Sequence, residues 1–230
     1  MIQKKYTGET CVIVATGPSL SRDQILTTAF AHAHNKCKVI TVNNAYKLVP
    51  FADAHISYNK NWWDHYTQEH DLIELRDRGC EMWTQHQEIA ESFKINYIKT
   101  IKSPMAQGSG LSKNQNYIHS NHGSGPMAIN LAALYGFKKL LLIGHDLKYP
   151  KSYNGITKTT GGKRHFFGEY PKSMQHWPHT RVNKGVLCGM IEYYGTMVND
   201  LNDLNVEVIN CTPESALKCF KLGNLEDELK

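Results

Sequence analysis

The chain has 230 residues, 41% hydrophobic and 20% charged, the balance of a soluble globule with room for one α/β core and a small lid. Its 26 basic and 21 acidic residues leave a formal charge of +5, which admits anionic ligands such as nucleotides without requiring a nucleic-acid partner. No apolar run approaches the roughly 20 residues of a membrane span, the stretch Met1–Tyr6 lacks a secretory leader's apolar segment, and six cysteines without a Cys-x-x-Cys pair read as reduced cytoplasmic thiols.

The first predicted strand, Cys11–Ala15, runs through Thr16-Gly17-Pro18-Ser19 into a helix from about Arg22 to Asn35. This is the layout of a phosphate-binding βα turn: Gly17 permits close approach, and Ser19 or Ser21 caps a helix whose free amides face an anion. Pro18 falls where the dinucleotide pattern G-x-G-x-x-G would continue, so that pattern is absent. Further strands are expected at Lys38–Val42, ending in Asn43-Asn44, and at Ala54–Tyr58, ending in Asn59. Weaker ones are expected at Glu81–Gln85 and Asn96–Ile101.

Ser103–His122 reads as a loop. Gly123-Ser124-Gly125-Pro126 then opens a helix over Met127–Tyr135, with Ser124 as its cap, a second glycine-rich helix N-terminus. The most apolar strand, Lys139–Gly144, ends in His145-Asp146, and Val206–Asn210 is the last. Continuous apolar runs alternating with helices imply a mainly parallel sheet covered on both faces, with ligands beyond the carboxyl ends of its strands.

Between the last two strands, Lys148–Thr180 is too long for a plain connection and reads as a lid. It concentrates Tyr149, Tyr153, His165, His176 and His179 with Lys163, Arg164 and Lys172, and Arg181 follows. An imidazole there suits a general base, and the cations suit phosphate. The lid histidines with Asp146 match no zinc-ligand spacing, so no metal site is expected. No G-x-S-x-G elbow, Walker A motif or kinase motif set is present.

Thr16-Gly17-Pro18-Ser19-Leu20, Asn43, Asn59, Ser124-Gly125, Gly144-His145-Asp146 and His179-Thr180 together resemble motifs of the bacterial family 42 sialyltransferases. They are also similar to those of a wider Rossmann-like group that includes motility-associated flagellin glycosyltransferases and 6-hydroxymethylpterin diphosphokinase. The resemblance implies a single Rossmann-like α/β domain over 1–230, with the lid at 148–180 inserted in it. It further implies a glycosyltransferase taking a CMP-sialic acid-like nucleotide sugar to a glycan or other hydroxyl acceptor, without a catalytic cofactor or metal. Thr16, Gly17, Pro18, Ser19, Asn43, Asn59, Ser124, Gly125, Asp146, Tyr149 and Tyr153 would hold the donor. His179 would be the base, with His176 or His165 as substitutes, and Asp146 would fix the lid or the ribose. Rival expectations are an ATP- and Mg²⁺-dependent diphosphokinase with Asp146 on the metal, a sugar transferase acting on nucleic-acid bases, and a nucleotide-binding module without turnover. Homo-oligomers are compatible with all four.

Overall fold

The computed structural model describes residues 1–101, 110–120, 123–149, 162–174 and 186–230. Five strands lead the chain across half of one sheet: β1 (Thr10–Val14), β2 (Lys38–Val42), β3 (Ala54–Ile56), β4 (Glu81–Thr84) and β5 (Asn96–Tyr97). Between them lie α1 (Arg22–Ala33), α2 (Lys60–Tyr66), α3 (His70–Asp77) and α4 (Gln87–Phe93). The chain then makes a small separate ribbon of β6 (Lys99–Ile101) and β7 (Tyr117–His119), followed by α5 (Ser124–Tyr135). It returns to the far side of β1 as β8 (Lys139–Ile143). After α6 (Val186–Thr196) and α7 (Val198–Asp203) it adds β9 (Glu207–Asn210), β10 (Lys221–Leu222) and a last turn, α8 (Leu225–Glu228).

The main sheet has eight strands in the order β10-β9-β8-β1-β2-β3-β4-β5, and every pairing is parallel. This is the expected Rossmann-like α/β architecture. Strand direction of growth reverses between β1 and β8, where Val14 pairs with Ile143. Connections leave that point toward opposite edges and on opposite faces, which opens a crevice beyond the strand ends.

The apolar runs follow from cover on both faces. Cys11 and Ile13 pack on one side with Met127, Leu131 and Leu134 of α5, while Val12 and Val14 pack on the other with Ala31 of α1 and Trp62 and Trp63 of α2. Successive side chains of a strand point to opposite faces, so a strand buried on both must be apolar throughout. Helix α5 is buried almost all round, and its Asn130 side chain holds the incoming segment: Oδ1 accepts from the Ser112 and His119 amides and Nδ2 donates to the Ser112 carbonyl.

Three expectations change. The strand expected over Asn96–Ile101 is two short ones in different sheets, divided at Ile98, whose side chain is buried and whose amide bonds Thr84. β7 lies inside a stretch read as loop, and the third strand stops at Ile56 rather than Tyr58. Among the described residues no helix is long and apolar enough to cross a membrane, and Cys11, Cys37, Cys80, Cys211 and Cys219 are free thiols.

Candidate functional site

The loops after β1 and β8 are tied to each other. Gly17 donates its amide to the Gly144 carbonyl at 2.8 Å. Asp146 accepts from the Ser19 amide at 3.2 Å and from the Ser19 hydroxyl at 2.7 Å. A Cβ on Gly17 would overlap both the Asp146 carboxylate and the Gly144 carbonyl. The glycine is therefore required by loop-to-loop contact. Burial pushes the Asp146 carboxyl above its ordinary range, while the Ser19 bonds and the Lys148 charge oppose that shift.

This changes the reading of the first βα turn. Its amides serve the protein itself: Ser19 holds Asp146, Leu20 bonds Gly17, and Ser21 and Gln24 form a reciprocal capping box. Ser21 caps α1, and Ser19 does not. A phosphate placed on the Ser19 amide would meet a carboxylate at hydrogen-bond distance.

The second helix N-terminus is different. Its N-cap is Gly123, which has no side chain to return to the helix, so the expectation that Ser124 caps it is corrected. The Ser124 hydroxyl instead accepts the Tyr58 amide at 2.9 Å and donates to Asn43 Oδ1 at 2.8 Å. Ser57 donates to the same oxygen. Asn43 adopts φ 48°, a left-handed conformation that asparagine tolerates better than most residues. The Ser124 and Gly125 amides have no hydrogen-bond partner among the described residues.

These groups surround a cavity of about 230 Å³. Thr16 and Gly17 line it from β1, Asn43 from β2, His145, Asp146 and Lys148 from β8, and Ser124 and Gly125 from α5. Arg164 and His165 close one side, and Leu187, Met190 and Tyr194 of α6 close another. The 162–174 segment is anchored at Thr16, whose carbonyl accepts the Phe166 amide at 3.0 Å and whose hydroxyl lies 3.1 Å from His165 Nδ1. Phe167 stacks on the His165 ring. Burial, aided by the Arg164 charge, lowers the His165 pKa to about 4, so this imidazole is neutral near pH 7.

A second cavity of about 340 Å³, lined by Pro18, Ser19, Asp146, Lys148, Pro213 and Glu214, shares Asp146 and Lys148 with the first. The crevice thus continues across the Asp146–Ser19 contact toward the end of β9.

Of the residues singled out from sequence, Thr16, Gly17, Asn43, Ser124, Gly125 and Asp146 meet in the first cavity, while Pro18 and Ser19 face the second. Asn59 is not among the lining residues; it is exposed at the N-terminus of α2, where its carbonyl accepts from Trp62 and Trp63. The Tyr149 hydroxyl accepts the Leu187 amide at 3.3 Å, tying the β8 loop to α6. Tyr153, His176 and His179, with Arg181, lie outside the described residues. Sequence reasoning did not foresee Met190 and Tyr194 on the cavity wall. The one available sign was the apolar and aromatic spacing after residue 185.

Among the described residues no group of three or more His, Cys, Asp or Glu side chains is arranged to hold a metal ion. No protein-family model matches the chain, and a search of curated proteins finds no match either.

Proposed function

We propose that this protein is a nucleotide-dependent transferase of the glycosyltransferase type, holding its donor phosphate at the N-terminus of α5. One observation carries the reading: a twelve-residue helix with a bare glycine cap places Ser124 and Gly125, whose amides have no hydrogen-bond partner among the described residues, on the wall of a cavity that Arg164 and Lys148 also line. That cavity stands at the β1/β8 reversal, where open parallel sheets receive ligands. Amides at a helix N-terminus and nearby cations favour a phosphate.

In the proposed reaction a neutral imidazole takes the proton of an acceptor hydroxyl. The oxygen attacks the anomeric carbon, and the nucleotide phosphate leaves with the electron pair of the broken C–O bond. The α5 amides and Arg164 would stabilise the charge on that leaving group. His179 or His176 is the proposed base from the sequence motifs, and His165 is the imidazole at the cavity wall. At a pKa of about 4 His165 is a weak base, and an adjoining phosphate would draw it toward neutrality, where general bases work best. The adjoining cavity beyond Asp146 is the proposed acceptor side.

Asp146 supports a second reading, diphosphate transfer from ATP, because Mg²⁺ is commonly held by one or two carboxylates together with substrate phosphates. A thermal-shift panel of CMP-, UDP- and GDP-sugars and ATP, each with and without Mg²⁺, separates the two. Glycosyl transfer expects stabilisation by a nucleotide sugar, about 2.7 kcal/mol at a hundred times its dissociation constant. Stabilisation by ATP with Mg²⁺ alone would replace this reading with the second. Stabilisation by no nucleotide would remove both.

A further inference from the structure

Beside the free α5 amides lies a histidine that the proposed reaction does not use. His145 is only 3% exposed, and its Nδ1 stands 3.2 Å from the Ile143 carbonyl. A carbonyl only accepts, so Nδ1 carries the proton and Nε2 is left with a bare lone pair. That Nε2 is buried and has no hydrogen-bond partner among the described residues. It lies by the start of α5 and the Tyr194 side chain: a Cβ on Gly125 would stand 3.4 Å from it and would overlap the Tyr194 hydroxyl, which is not bonded to Nε2. Burial holds the His145 pKa down at about 4, so the ring stays an acceptor at neutral pH.

A buried acceptor without a donor has given up its bond to water and gained nothing in exchange. His55 provides the comparison. Its Nε2 is also buried and unpartnered, but its ring is enclosed by Tyr46, Trp62 and Trp63, and it lines none of the cavities at the strand ends. His145, by contrast, lines the cavity that Ser124 and Gly125 also line.

We propose that His145 Nε2 is a specificity-determining acceptor that bonds a hydroxyl of the ligand, close to the phosphate taken by the Ser124 and Gly125 amides. The proposal rests on the phosphate reading above and narrows its substrate class. A phosphate monoester loses its last proton at about pH 6, so above that pH its oxygens bring only lone pairs and satisfy the amides and not Nε2. The ligand must carry a neutral donor beside its phosphate, and either a ribose hydroxyl or a hydroxyl of the transferred sugar supplies one. Removing that hydroxyl leaves Nε2 unpaired again, which is how a site built for a hydroxyl rejects the analogue lacking it.

Titration calorimetry of the full chain and its His145→Phe variant at pH 8 tests this, with CMP, 2′-deoxy-CMP, 3′-deoxy-CMP, glucose 1-phosphate and methyl phosphate as probes. The parent is expected to lose about tenfold in affinity on deletion of one ribose hydroxyl, and His145→Phe is expected to bind CMP and that deoxynucleotide alike. A preference for glucose 1-phosphate over methyl phosphate that disappears in His145→Phe would support the same contact and assign the hydroxyl to the sugar. In ¹⁵N-labelled parent protein the Nε2 resonance should move with the hydroxyl-bearing probe and stay with methyl phosphate, a readout that holds even if His145→Phe fails to fold. Equal hydroxyl discrimination in parent and variant, or an unmoved Nε2 resonance, would overturn the proposal while phosphate binding stood. Failure of every phosphate probe to bind would overturn the phosphate reading and this proposal with it.

Discussion

Helices α1 and α5 bring their N-termini to the same crevice and follow glycine-containing turns that look alike on paper. In α1 the Ser21–Gln24 capping box and the Asp146 carboxylate take the amides of Ser19, Ser21 and Gln24, leaving those of Arg22 and Asp23 outside these contacts, so the turn after β1 works as a joint between β1 and β8. In α5 the cap is Gly123 and the first amides stay open to the cavity. A Gly-Pro-Ser turn thus offers donors only if no other part of the chain reaches them first. Here the chain that reaches them comes from 127 residues away.

Acid separates the two sides most strongly. His145 and His165 by the cavity, and His55 in the core, are held by burial at about 4, about 4 and about 3, all below the ordinary 6.5. The unfolded chain therefore binds protons below pH 6.5 that the native rings refuse. Native stability should fall as pH drops from about 6.5 toward 4, by about 1.4 kcal/mol per pH unit for each ring. Asp146 acts in the opposite sense: its carboxyl is raised, so its contribution is largest below 3.8 and diminishes as pH rises through its folded value. Urea unfolding at pH 7, 6 and 5 should show the histidines winning. A flat profile would mean that the native rings accept protons and are not sealed as described.

Gly17→Ala attacks the joint on the α1 side. The added methyl has no room between the Asp146 carboxylate and the Gly144 carbonyl, and the carbonyl is backbone that cannot turn aside. A loss of about 3 kcal/mol is expected in denaturant unfolding, the size of a severe overpacking change. Parent-like stability would show that the β1 and β8 loops do not close on each other.

The sheet was legible where both faces are covered. Cys11–Val14 and Leu140–Ile143 are buried throughout, and an unbroken apolar run is the direct consequence. The two-residue edge strand β10 was not legible, and β5 was read only as the start of a longer strand over Asn96–Ile101, because their residues are exposed and only a neighbouring strand makes them extended. The site divides in the same way. That Thr16, Asn43 and Asp146 face one crevice follows from their places just past parallel strands. Which amides are already occupied, and which nitrogen of His145 carries a proton, depends on contacts with Ser19 and Ile143 that no local pattern encodes.

The difference between the helices can be reversed by design, and Gly123→Asp does so on the α5 side. Gly123 has an extended backbone at φ −171°, open to any residue. A Cβ there would crowd the Met190 methyl at 2.8 Å, the far end of a flexible side chain, and touch Pro126 at an ordinary 3.4 Å. An N-cap carboxylate would take the helix amides and repel a phosphate. Affinity for the nucleotide or phosphate probe that binds the parent should fall at least tenfold, about 1.4 kcal/mol, while the fold holds. Unchanged binding in calorimetry would move the phosphate away from α5.

Ser21→Ala is the matching change on α1 and should do the converse. It removes the hydroxyl that accepts the Gln24 amide at 3.2 Å, and it leaves the Gln24 side chain bonded to the Cys211 carbonyl at 3.1 Å. Because the cap is exposed, water replaces the lost acceptor in part, so the expected destabilisation is about 1 kcal/mol. Since Ser21 lies outside the lining of the α5 cavity, phosphate affinity should not change. A stability loss without a binding loss would place the two glycine turns in different roles: one closes the sheet reversal, and the other meets the ligand. A binding loss of tenfold in Ser21→Ala would return the phosphate to the first turn and undo that division.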